Sequence, residues 1–158
     1  MRLLNSICKL LASRYTGVPV HIEEVPNDFK RECFLVTLAT GSSKLRSYNV
    51  YEDVPLFQIV YFGKRNEANQ VIAEELYRVK EELRALLMLC RAVPVIPIEG
   101  LEEKKPRYAK IETYSDEIRL SEGAVYVKLS LNFTDDVPKI DNHDPIGDVE
   151  FVLKRPNK

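Results

Sequence analysis

Residues 124–133, A-V-Y-V-K-L-S-L-N-F, alternate almost without a break. Val125, Val127, Leu129, Leu131 and Phe133 fall on one side, and Tyr126, Lys128, Ser130 and Asn132 on the other. A period of two belongs to a strand with one buried and one wet face, the habit of antiparallel sheets. Such a strand needs partners beside it and a layer over its apolar face.

Two stretches can supply that layer. At the N-terminus, Leu3, Leu4, Ile7, Leu10, Leu11 and Tyr15 recur at helical spacing, and Gly17 can cap the end in a left-handed conformation. The run resembles a signal peptide only at first sight. Asn5, Ser6 and Lys9 interrupt it, and no small-residue cleavage site follows. The second stretch, residues 66–91, carries an apolar stripe through Ala68, Ile72, Leu76, Val79, Leu83, Leu86 or Leu87, and Cys90. Asn66 is a suitable N-cap and Pro94 a suitable stop. A helix over that span would be about 39 Å long.

Further strands are expected at 18–24, 33–39, 48–62 and 107–114. Residues 25–28, V-P-N-D, read as a turn, and Gly41-Ser42-Ser43-Lys44 as the tip of a hairpin loop. Pro55 lies within the 48–62 strand and cannot donate to a ladder, so a bulge or a free sheet edge is expected there. Beyond Pro55 that strand is apolar on both faces, which calls for helices on one side and a neighbouring subunit on the other. Residues 93–98 carry two prolines and read as an edge or irregular segment, followed by a polar loop at 99–106. From Asp135 onward the chain turns acidic and turn-rich, then ends in the apolar pentad 149–153 and a basic terminus. The expected fold class is α+β: a mostly antiparallel or mixed sheet, flanked by an N-terminal helix and one long central helix, with a C-terminal extension. The expected division is a domain over 1–134 and an interaction arm over 135–158.

The chain's 158 residues suit one domain with its own core. A formal net charge of −1 lacks the basic footprint of a duplex-binding protein. No apolar run approaches the roughly 20 residues a membrane helix needs. Cys8, Cys33 and Cys90 are odd in number, far apart and set in apolar stretches, so they read as buried free thiols.

Gly63-Lys64 follows a strand and suggests a phosphate loop. That motif, however, requires glycine where Gln58 stands and a hydroxyl where Arg65 stands, and a single glycine makes no nest of amides. His143 among Asp141, Asp144 and Asp148 reads as a solvated acidic turn, and the other histidine, His21, is far away. No serine or cysteine has a histidine close by in sequence, and the paired carboxylates 23/24 and 102/103 are simple neighbours. No catalytic, metal or cofactor-binding residue is therefore expected. A small domain with a two-faced apolar strand and a docking tail fits an assembly subunit. The candidate subunit or partner contacts are Pro55, at an expected sheet edge, Lys64, and Val149, Phe151, Val152 and Leu153 of the tail.

Three segments carry a family likeness. They are I22-E-E-V-P-N-D-F29 leading to C33-F-L-V-T-L38, F57-Q-I-V-Y-F-G-K-R-N-E67 leading to E75-L76, and E122-G-A-V-Y-V-K-L-S-L-N-F133. In spacing and pattern the chain resembles the tail-terminator proteins of long-tailed phages and defective prophages of Gram-positive bacteria. The resemblance covers residues 1 to about 134; residues 135–158 exceed the family pattern, and no role carries over to them. It implies a virion tail protein, made in the bacterial host cytoplasm, that is no enzyme. Its implied form is a homo-oligomeric ring, usually of six, capping the head-proximal end of the tail tube. The implied partners are the chain itself, the tail tube protein, and in some tails the sheath protein and head–tail connector. DNA would only pass through the lumen, and no cofactor or membrane is involved. Another neck or tail subunit, of head-completion or tube type, remains the alternative, with a nucleotide-binding domain behind it.

Overall fold

The computed structural model describes residues 2–48, 50–97 and 106–136. The elements run α1 (Arg2–Arg14), β1 (Val20–Ile22), β2 (Cys33–Ser47), β3 (Val50–Phe62), α2 (Ala73–Cys90), β4 (Ala92–Val95), β5 (Arg107–Arg119) and β6 (Ala124–Asp136). The six strands form one sheet in the order β1-β2-β3-β6-β5-β4. Only β1 pairs in parallel, with β2; every other pair is antiparallel. This is the mixed α+β sheet with an N-terminal and a central helix that the pattern calls for.

The sheet curls, and both helices fill its concave side. α1 touches β1 and β2 near one margin and β4 at the other, so it bridges the open side of the curl. One core results. α1 contributes Leu3, Leu4, Ile7 and Leu11; α2 contributes Leu76, Val79, Leu83 and Leu87; the sheet contributes the inward rows of β2, β3 and β6. Every inward residue of the alternating stretch, Val125 to Phe133, is buried. Each large apolar side chain so removed from water stabilises the fold by about 1.5–3 kcal/mol before chain entropy is counted. The rings of Tyr15, Phe34 and Tyr61 stack in series at 4.8 and 5.0 Å, joining α1 to β2 and β3.

Several expectations need correction. Gly41-Ser42-Ser43-Lys44 is not a loop tip. β2 continues through it, pairing Gly41 with Pro55 and Lys44 with Glu52, and the chain reverses only between Ser47 and Val50. Both faces of this arm are largely solvated, so no apolar period marks it as strand. Pro55 is not at a free edge. It lies in β3, which has β2 on one side and β6 on the other. The expected irregularity is present at Pro55 and beside it. β2 has a bulge between Leu38 and Thr40, and the β3–β6 ladder passes from Asp53 to Leu56 without pairing Val54 or Pro55. The central helix starts at Ala73, not residue 66, and spans 18 residues, about 27 Å. Asn66 caps a turn of its own: its Oδ1 accepts from the Gln70 amide at 2.8 Å, and Arg65 bridges to Val71. Cys90, at the helix end, is exposed, whereas Cys33 is buried and Cys8 half-buried. β5 extends five residues past the expected end.

Other expectations hold. α1 ends before Gly17, whose φ is +86°. Residues 26–29 turn, with the Phe29 amide donating to the Pro26 carbonyl at 3.1 Å. β4, with Pro94, is an edge strand. The 99–106 loop falls almost wholly outside the described residues.

Candidate interaction surfaces

Gly63 ends β3 where the start of α2 comes closest. Its amide donates to the Gly123 carbonyl at 3.0 Å, and a Cβ on Gly63 would stand 2.6 Å from Leu76 Cδ2. The glycine is there to admit a helix, not an anion. Around it, the Tyr61 hydroxyl lies 2.7 Å from Glu32 Oε1 and 2.6 Å from Glu75 Oε1. Lys64 Nζ pairs with Glu32 at 2.9 Å, and the Lys64 amide faces Glu75 at 3.5 Å. Burial and these two carboxylates push the Tyr61 hydroxyl far above its ordinary range. Burial opposes the charge on Glu32, but hydrogen bonds from Tyr61 and Lys64 outweigh it and hold its carboxyl below the usual range. Carboxylates this close to the Lys64 amide and ammonium repel a phosphate. Lys64 itself is exposed and ion-paired.

Pro55 is buried and lines a cleft of about 350 Å³ between the first turn of α1 and the inner side of the β2–β3 arm. Leu3, Leu4, Leu38, Phe57 and Phe133 provide its apolar wall. At its mouth Asp135 pairs with Arg2 at 3.0 Å and with Arg107. Both guanidiniums lie over the Phe133 ring, at 5.6 and 4.8 Å. Arg2 Nε also donates to the Ile96 carbonyl at 2.6 Å. Asp135 thus locks α1, the end of β4, β5 and β6 together. Two residues assigned by sequence to the extension, Asp135 and Asp136, belong to β6. Val149, Phe151, Val152 and Leu153 lie outside the described residues, as does His143.

On the convex face, Arg46, Glu52, Asn132 and Glu112 form a chain of hydrogen bonds across four strands, at 2.6, 2.8 and 2.8 Å. On the concave face, Asp116 receives Lys80 at 3.2 Å and Arg84 at 3.0 Å, fastening α2 to β5. Burial opposes the Asp116 charge, but the two cations hold its carboxyl below its ordinary range. The outer side of α2 leaves Tyr77, Met88 and Leu89 exposed. Among the described residues, no group of three or more metal-ligating side chains stands together.

The comparison with protein families identifies the chain. Residues 2–139 match the family described as phage tail terminator protein. The chain belongs to the phage tail terminator family. It is a structural component of a phage tail. The family is not an enzyme family. No curated protein matches the chain. The family match ends at residue 139, just past β6, so the tail terminator fold and the described sheet end nearly together. No described helix of this terminator is long and apolar enough to cross a membrane.

Proposed function

We propose that this tail terminator assembles into a ring, of about six copies as the family likeness implies, that caps the head-proximal end of the tail tube. The ring stops tube growth, and in a contractile tail also the last sheath layer, and presents the interface to the head connector. The family match across residues 2–139 carries this reading. Rings use heterologous contacts, so each copy presents two different complementary patches. The curled sheet braced by two helices offers a rigid wall for such contacts.

Residues beyond the sheet serve as an arm. The pentad 149–153, with Val149, Phe151, Val152 and Leu153, is too short to fold alone and docks on a neighbouring subunit or tail component. Lys64, exposed at the β3–α2 junction, stands where a subunit contact can reach it.

Particles made without this protein test the proposal. Their tubes are expected to exceed normal length and vary widely. Tubes of normal, uniform length would overturn it. Truncation tests the arm, and because Asp135 is built into the fold, the cut belongs after residue 136. The shortened protein is expected to fold but to hold the tail end more weakly, read as loss from purified tails. Unchanged retention would refute the role of the arm.

A further inference from the structure

Among the described residues, the sheet carries two long stretches of open edge. β1 covers β2 only from Phe34 to Val36, and the Leu38 amide is closed by Glu23 Oε1 at 3.1 Å. β4 covers β5 only from Arg107 to Lys110, and the Ile111 amide is closed by the Arg91 carbonyl at 3.0 Å. Beyond these points, among the described residues, no strand pairs with β2 at 39–47 or with β5 at 112–119 on the outer side. Neither stretch contains proline, whereas the covered margin at β4 carries Pro94. Exposed edges of this length invite strand pairing unless they are blunted.

The two edges differ in a useful way. The β2 stretch holds Lys44 and Arg46 and no acid; the β5 stretch holds Glu112, Asp116 and Glu117 with Arg119. Asp116 turns inward to Lys80 and Arg84, while Arg46 and Glu112 share the convex face with Glu52 and Asn132. Glu117 is paired with Arg119 at 3.0 Å, so Glu112 is the acid of β5 that remains to meet Lys44 and Arg46; two β2 edges repel, while a β2 edge and a β5 edge attract, the pattern of a heterologous contact.

We infer that neighbouring copies join by pairing the open stretch of β2 in one with the open stretch of β5 in the next, so that one sheet runs on from subunit to subunit. The inference rests on the ring reading above. Strand polarity supports it. β2 and β5 run in opposite directions in the sheet, so two copies in the same orientation meet antiparallel and keep their convex faces on one side. Setting Ser42 opposite Ser115 matches convex-facing positions and brings Lys44 to the bulge near Glu112 and Thr113. In that register the residues covered by β4, Arg107–Lys110, fall opposite positions 47–50 of the other copy, and those covered by β1, Phe34–Val36, fall opposite positions 121–123, so the short strands reach only the last residue of the open stretches, Ser47. The offset along the strands is taken up by strand tilt, as in closed barrels.

Cross-linking tests the pairing in the full chain, on a Cys90→Ser background because Cys90 is exposed. With Ser42→Cys and Ser115→Cys together, mild oxidation is expected to give a covalent ladder ending at the ring size, while either cysteine alone stops at dimers or monomers. A second set reads charge: Lys44→Glu with Arg46→Glu, or Glu112→Lys with Glu117→Lys, shifts ring to monomer by native mass spectrometry, and mixing the two sets restores alternating assemblies. A wild-type ring without cysteine coupling, and insensitive to either reversal, overturns the edge pairing and leaves the ring reading standing. A wild type that stays monomeric at every concentration, with no ladder, overturns both.

Discussion

An added methyl at Gly63 would sit 2.6 Å from Cδ2 of Leu76, a side chain only 1% exposed, so that side chain must shift within the core. Gly63→Ala is therefore expected to cost about 1–3 kcal/mol in denaturant unfolding, through displacement of the start of α2. Its position as a turn could be read in the sequence, but its reason could not, because the approaching helix begins ten residues later. The same holds for Asp116, an ordinary charged residue in a strand until α2 sets Lys80 and Arg84 on it. Its folded-state pKa lies below the unfolded value near 4, so the ion pairs contribute above about pH 4 and are lost as pH falls through the folded value. Asp116→Asn should lower stability at pH 7 by about 1–2 kcal/mol, limited by the half-exposed Arg84, and flatten the acid side of the stability curve. Thermal melts from pH 7 to pH 3 check both statements.

Among the elements, β6 was readable because one face is wholly buried, so water and core impose a strict period of two. The outer half of β2 was not, because both faces of the arm meet solvent and polar residues cost nothing on either. The early start expected for α2 failed for a different reason. Residues 66–72 have acceptable helical composition, but the Asn66 side chain closes a local turn and Arg65 bridges to Val71. That side-chain bond competes with helical backbone bonds and wins. Within the true helix, Leu83 is fully buried against the sheet. Leu83→Ala is expected to cost about 2–5 kcal/mol in chemical denaturation, whereas Leu89→Ala, at the exposed outer side, should change stability by less than about 0.5 kcal/mol. Equal effects would contradict the packing described.

At the scale of the whole molecule, class and family were legible in the order and spacing of elements, since these follow from hydrophobic pattern. The interaction surface was not. Because proline cannot donate, Pro55 suggested a bulge or a free edge; the sheet buries it in an inner strand and skips its ladder position toward β6. The open edges arise from the mismatch between long strands and their short cover, visible only once pairing is known. The proposed role is that of a terminal ring. Electron microscopy of the head-proximal end of purified tails tests that most directly. The expected image is a single ring of this fold, one subunit thick, seated on the last tube layer. Finding the fold repeated along the tube, or absent from the tail end, would contradict the account.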